Sequence, residues 1–270
     1  MKTFKSYIIL LFLLPVICSC TKVVNLNLGN NTGKLVIEGN LTNVFGAQVV
    51  KLSENVPFSN TNTYPPVTGA SVMVADAAGI SYPFTETTPG TYTANPLAGI
   101  SGGKYTMTVV TGSKTYTASS VMQAVIALDS LSSRDDDFNT SKHKKLVTVH
   151  YQDPAGVVNQ YRFVMFVNKV QVKSIYAFND DFNDGRAVAI DLRVNDSGDR
   201  DFGIYAGDTV TVEMQCIDKP IYTYWYTLMQ QGDNGPGGGV TPADPPTNIT
   251  PTSLGYFSAH TTQSRTIVVK

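Results

Sequence analysis

Cysteine, histidine, tryptophan and net charge are all scarce in this chain of 270 residues, which has three cysteines, three histidines, one tryptophan and a formal net charge of -1. Each scarcity closes a route. Cys18, Cys20 and Cys216 cannot build the multi-bridge framework that staples small exported domains, so stability has to come from an apolar core. No two of His143, His150 and His260 stand at a metal-ligand spacing on one helix, which leaves zinc catalysis without support and the metal-ligand set empty. With so little net charge and no basic stripe, the chain lacks the electrostatic footprint of a nucleic-acid binder. No Gly-x-Ser-x-Gly elbow and no motif-ordered Ser/His/Asp set is present, so no catalytic residue is named; a hydrolase stays unsupported rather than excluded, since triads assemble in space. The apolar run Tyr7 to Ile17 is only about a dozen residues, short of the ~20 that a helix needs to cross a bilayer core.

That run follows Lys2 and Lys5, the order of a cleavable signal peptide, expected over residues 1–19. Ile17-Cys18-Ser19-Cys20 then resembles the lipobox of bacterial lipoproteins. The resemblance implies that Cys20 becomes the mature N-terminus, with diacylglycerol on its sulfur and a further chain such as palmitate on its amine. Each buried methylene contributes ~0.8 kcal/mol, so two or three chains anchor durably where one does not. Thr21 and Lys22 follow, with no Asp to suggest retention at an inner membrane, so the expected location is the cell outer membrane, on the periplasmic or the exposed side. Cys18 leaves with the leader. Cys216 lies in a strand pattern that puts Val212, Met214 and Cys216 on one face, the setting of a core thiol.

What is abundant points to strands: 14 Tyr, 22 Gly and 14 Pro, with only 15% charged residues. Strand patterns recur at Lys34–Gly39, Gln48–Ser53, Ala70–Asp76, Ser81–Thr85, Gly90–Ala94, Lys104–Val110 and Lys114–Ala118. Further ones fall at His143–Asp153, Asn159–Val167, Gln171–Phe178, Arg186–Val194 and Asp208–Asp218, and the polar stretch Asp129–Ser141 reads as the start of a second β unit. The expected fold class is mainly β: an immunoglobulin-like β-sandwich over 20–126, then a second β-rich domain over 127–270 with one short helix and a Gly/Pro-rich loop at 232–251.

The pieces GASVMVADAAG (Gly69 to Gly79), GTYTA (Gly90 to Ala94) and GGKYTMTVV (Gly102 to Val110) resemble carboxypeptidase regulatory-like, immunoglobulin-like modules. There Asp76 and Gly79 supply a turn, and Tyr92 and Tyr105 pack or cap the sandwich edge. Nearly end to end, the chain also resembles a family of envelope lipoproteins of unknown function, often encoded beside TonB-dependent receptors. The motifs are LVIEG (Leu35 to Gly39), VVKLS (Val49 to Ser53), PVTGASVMVAD (Pro66 to Asp76), ALDSL (Ala127 to Leu131), NDDFNDGR (Asn179 to Arg186), YWYTLMQQ (Tyr224 to Gln231), PPTNI (Pro245 to Ile249) and LGYFSA (Leu254 to Ala259). Thr250-Pro251-Thr252-Ser253 stands where the family pattern leads one to expect a Gly pair. The resemblance implies a receptor as partner and brings no established activity.

Lys219–Gln231 is the helix candidate, with Pro220 suited to a first turn and Tyr222, Trp225, Tyr226 and Met229 on one face. Tyr222, Tyr224, Trp225 and Tyr226 are the candidate partner or ligand surface; the alternative is that the stripe only packs the helix on a sheet. Three acidic clusters, Asp135–Asp137, Asp180–Asp184 and Asp196–Asp201, suit either calcium or solvated turns. Two functions stay open: a non-enzymatic accessory of an outer-membrane TonB-dependent receptor, or a surface protein that binds or hydrolyses glycan or peptide.

Overall fold

The computed structural model describes residues 32–57, 63–137, 143–194, 203–232 and 243–270. The signal-peptide segment, Cys20, the Asp196–Asp201 cluster and residues 233–242 of the Gly/Pro loop lie outside the described residues.

The described residues form sixteen strands and one helix, and the fold is mainly β. The first half contributes β1 (Leu35–Thr42), β2 (Val49–Glu54), β3 (Ser71–Asp76), β4 (Ser81–Thr88), β5 (Thr91–Ala94), β6 (Lys104–Thr111) and β7 (Lys114–Val121). Their alternation is what a half-buried sheet demands: in β3, Val72 and Val74 are buried while Ser71 and Met73 face solvent. Antiparallel pairing runs β1-β2-β5-β4-β3-β6-β7. Inward residues such as Ile37, Leu41, Val50, Leu52, Val74, Met107 and Val109 make one core. Full burial of each such side chain contributes about 1.5–3 kcal/mol.

The turn and cap residues act as their chemistry suggests. Asp76 Oδ1 accepts from the Ala78 and Ile80 amides, and Gly79 takes φ +85. Tyr92 donates its hydroxyl hydrogen to Val67 O and accepts from the Ala70 amide. Tyr105 accepts from the Ile100 amide. Both tyrosines therefore bury their rings and use their hydroxyls to pin loops.

The second half contributes β8 (Leu128–Asp135), β9 (Lys145–Gln152), β10 (Gln160–Val167), β11 (Val170–Gln171), β12 (Tyr176–Asn179), β13 (Ala187–Leu192), β14 (Thr209–Cys216), α1 (Lys219–Gly232), β15 (Ile249–Thr250) and β16 (Leu254–Val268). β13-β9-β8 form a separate three-stranded sheet. A second core lies among Val147, Val149 and Tyr151 of β9, Tyr161, Phe163 and Met165 of β10, and Val210, Val212, Met214 and Cys216 of β14. β16 lies between β14 and β1, antiparallel to the first and parallel to the second, so β10, β14 and β16 continue the first sheet. Its Phe257 and Ala259 complete the first core.

Two expectations change. The single strand expected over Gln171–Phe178 is two, β11 and β12, which both pair with β10 but in different registers, so the ladder is interrupted between them. The loop expected through Pro251 ends early, since Ile249 is buried in the first core and β15 pairs with β7. The Thr250–Pro251 peptide is cis. The longest strand, β16, has no clean period-two signature because residues 255–261 are buried without alternation.

Asp218 starts α1 and ties it to β7. Its Oδ1 accepts from the Ile221 amide, as an N-cap does, while Oδ2 accepts from Ser120 Oγ at 2.9 Å and the Val121 amide at 3.0 Å. Burial pushes its carboxyl above the usual range, opposed by those hydrogen bonds. Asp218→Ala removes the cap and strands two donors, so a loss of about 2–3 kcal/mol is expected in denaturant titration. Asp218→Asn keeps an acceptor and sheds a buried charge, so its loss should be less than half as large.

Candidate functional site

The helix α1 packs on β10, β12 and β16 and so covers part of the outward face of the β10-β14-β16-β1 sheet. Arg162, Glu213, Gln215, Ser258, His260, Glu38 and Asn40 alternate with the core residues of these strands. Above them, Ile217, Ile221 and Tyr256 form a small buried cluster against which Tyr222, Tyr224 and Trp225 pack. Tyr224 and Trp225 stand 5.0 and 5.2 Å from the Tyr256 ring, and Tyr222 stacks on Tyr226 at 5.3 Å.

The Arg162 guanidinium sits 3.6 Å from the centre of the Trp225 ring. It donates to Gln215 Oε1 at 3.0 Å, and Gln215 in turn donates to Glu213 Oε1 at 2.7 Å. Among the described residues no carboxylate forms an ion pair with it. Burial pulls Arg162 below its ordinary value, while the tyrosines and Glu213 nearby hold it up. Asn40 donates to Tyr256 Oη at 3.4 Å. Ser258 Oγ and His260 Nδ1 are hydrogen-bonded at 2.9 Å. Burial first, and the Arg162 charge second, push His260 down to about 3, so the imidazole is neutral at physiological pH. The assembly is therefore a cation and several hydrogen-bonding groups under an aromatic lid.

Of the four aromatic residues named from sequence, Tyr224 and Trp225 pack on the sheet, while Tyr222 and Tyr226 form the rim, with Tyr226 39% exposed. The periodicity of the helix carried no sign of Arg162, Tyr256 or His260, which come from two strands, β10 and β16, brought to one sheet only in the fold.

Elsewhere, Ser132 Oγ and His150 Nε2 meet at 2.7 Å across β8 and β9, a pair that no motif announces. The nearby Asp191 is spent on Arg134 at 2.5 Å and Thr148 at 2.6 Å, so no acid orients the imidazole among the described residues. Cys216 is a buried core thiol, pushed up by desolvation. Asp135, Asp136 and Asp137 form ion pairs with Lys145, Arg193 and Arg134 respectively. In the Asp180–Asp184 turn, Asp180 and Asp184 converge with Asp153, while Asp181 turns aside to Asn179.

Residues 21–266 match the family described as a domain of unknown function, DUF4249. The chain belongs to that family. In this DUF4249 member the match takes in β1 through most of β16 and so both cores. No curated protein matches it. Among solved structures, a two-domain fibronectin type-III segment of chicken tenascin aligns at 14% identity and a TM-score of 0.22, covering 68% of this chain and 90% of that one. The adhesin InvE of Yersinia pseudotuberculosis aligns at 16% identity and a TM-score of 0.22, covering 68% of this chain and 57% of that one.

Proposed function

We propose that this DUF4249 protein is an outer-membrane lipoprotein, anchored through acylated Cys20, whose folded part binds a partner without turnover. The partner is a TonB-dependent outer-membrane receptor. The observation that carries the reading is the lid of α1: aromatic side chains, a half-buried guanidinium and hydrogen-bonded amide and hydroxyl groups gathered on one sheet face. Rings with a polar handle and arginine are the residue types that dominate protein interfaces. The side chains best suited to covalent chemistry, Cys216 and Ser132, are respectively buried and lacking an acid-oriented base. The resemblance to envelope lipoproteins encoded beside such receptors supplies the choice of partner.

The test is extraction of the native protein in mild detergent and mass spectrometry of what copurifies. A receptor in stoichiometric amount is expected, with less of it retained by a Tyr222→Ala/Tyr226→Ala variant. Copurification of nothing in the envelope would sink the accessory role. Cys20→Ala is expected to abolish palmitate labelling and release the protein from membranes; a variant that still labels and sediments with membranes would overturn the anchor. The stacked Tyr222–Tyr226 pair favours one second reading, sugar binding, which glycan binding by the soluble Cys20→Ala protein would reveal.

A further inference from the structure

Asp153 follows β9, and its main-chain amide is held by Arg186 O at 2.9 Å. The turn after β12 is closed by Asn183 N and Asp184 N donating to Asp180 O at 2.7 and 3.0 Å. The two segments are laced together. Asp180 Oδ2 accepts from the Asn159 amide and Asp184 Oδ1 from the Gly156 amide, both at 2.7 Å. Asp153 accepts from the Tyr161 hydroxyl and, at 3.3 Å, from the Gly185 amide. At Gly185 the backbone has φ +71 and an added Cβ would lie 2.8 Å from Ala155 Cβ, so the approach requires glycine.

The result brings one carboxylate oxygen from each of Asp153, Asp180 and Asp184 within 4.8 Å of one another. Asp153 and Asp180 are only 1% and 3% exposed. No described lysine or arginine forms an ion pair with any of the three. Like charges gathered out of water repel and lose hydration, and among the described residues only neutral donors, the Tyr161 hydroxyl and the amides of Gly156, Asn159 and Gly185, offset this. A second observation is independent of the carboxylates. The Tyr151 hydroxyl, in a side chain only 2% exposed, has no hydrogen-bond partner, although a buried hydroxyl normally finds one. Its ring lies 4.8 Å from that of Tyr161, whose hydroxyl reaches Asp153, and it feels the charges of Asp153 and Asp180.

We propose that Asp153, Asp180 and Asp184 bind one calcium ion, with the Tyr151 hydroxyl hydrogen-bonded to a water on that ion. The donor set is all oxygen, which selects a hard cation over zinc or copper. Calcium–oxygen distances of about 2.3–2.6 Å let one ion bridge oxygens spread this far, and its flexible coordination accepts main-chain carbonyls and water for the rest. Magnesium, at about 2.0–2.1 Å in a strict octahedron, demands a tighter cluster. The ion would fix the two loops that expose Val158 at 71% and Phe182 at 87%.

The test uses the full-length protein in mild detergent, stripped with a chelator and titrated with calcium chloride or magnesium chloride by calorimetry and thermal melting. One calcium per chain is expected, half-saturating at roughly 0.1–1 mM, with magnesium weaker. At a hundredfold excess the melting temperature should rise by about 5–10 °C. Asp184→Asn, an exposed change that the fold tolerates, should weaken calcium at least about tenfold, and Asp181→Asn should leave it unchanged. Tyr151→Phe separates a ligand role from a packing role: it should weaken calcium several-fold while leaving the stripped protein equally stable or more so. Absence of binding heat and of any melting shift in the cooperatively folded wild type would overturn the proposal, showing a cluster neutralised by a shared proton. So would an Asp184→Asn variant that binds as the wild type does.

Discussion

Replacing Gly255 with alanine is expected to cost at least about 3 kcal/mol, enough to abolish folding at physiological temperature in a domain of ordinary stability. Gly255 opens β16 at φ +92, a conformation that side-chain-bearing residues avoid. Conformational strain alone would cost about 1–3 kcal/mol. The larger effect is steric. A Cβ built there would lie 1.9 Å from Ile37 O, 2.7 Å from Ile37 C and 2.9 Å from Ile37 N, all main-chain atoms of β1. Ile37 and Gly255 are partners in the parallel ladder, so relief requires the strands to part and the pairing from Val36–Leu254 to Thr42–His260 to loosen. Gly112→Ala is the control, because Gly112 also has positive φ but open space where the methyl would go. Denaturant midpoints decide: Gly255→Ala should fall far below Gly112→Ala, and equal midpoints would refute the close approach of β1 and β16.

Acid should unfold the protein through His260. Its folded-state value of about 3 lies below the ordinary ~6.5, so the native state favours the neutral ring. The stability this confers is fully present above pH ~6.5 and is lost as pH falls from there toward 3, where the unfolded chain binds the proton and the folded one does not. The slope is about 1.4 kcal/mol per pH unit, giving an upper figure of about 3 kcal/mol between pH 6.5 and 4. The groups that set the value come from several strands: Arg162 of β10 faces the ring as a like charge, and Glu213 of β14 and Glu38 of β1 act on that same guanidinium. Asp191 and Asp135 also lose favourable ionisation in acid, since hydrogen bonds from Arg134 and Lys145 hold them low. The comparison that isolates the histidine is therefore wild type against His260→Gln, which can still accept from Ser258. Wild type should lose up to about 3 kcal/mol more than the variant over that range. Trp225, the sole tryptophan, reports the change by its emission, since Arg162 lies on its ring. Parallel stability curves for the two proteins would refute the assignment.

The strands of the first half were legible because each has one buried face, so Val72 and Val74 separate from Met73 in the sequence itself. The helix was legible from Pro220 and from the spacing of its aromatic residues, and it runs one residue further than read. β16 escaped because residues 255–261 are covered on both faces, by a core below and by α1 or β7 above, which erases the alternation. The candidate site was legible only in its lid. Arg162 and Glu213 read as the outward side of exposed strands, and only the long-range placement of α1 changes their surroundings. The acidic site was half visible: Asp180 and Asp184 share a turn, but Asp153 reaches them across β10 and could not be counted from spacing.

The parallel ladder between β1 and β16 also orders events in time. Asn40 and Tyr256 touch across 216 residues, and Phe257, with Ile249 and Ala259, fills a core whose other walls are built from the first half. A ribosome delivers Asn40 of β1 216 residues before Tyr256 of β16, so the inner edge of β1 remains an open row of amides and carbonyls until that partner follows. Contacts this distant close slowly. A nascent chain of this topology thus carries an adhesive edge throughout its synthesis, and its late-arriving strand is what finally shields that edge from neighbouring molecules.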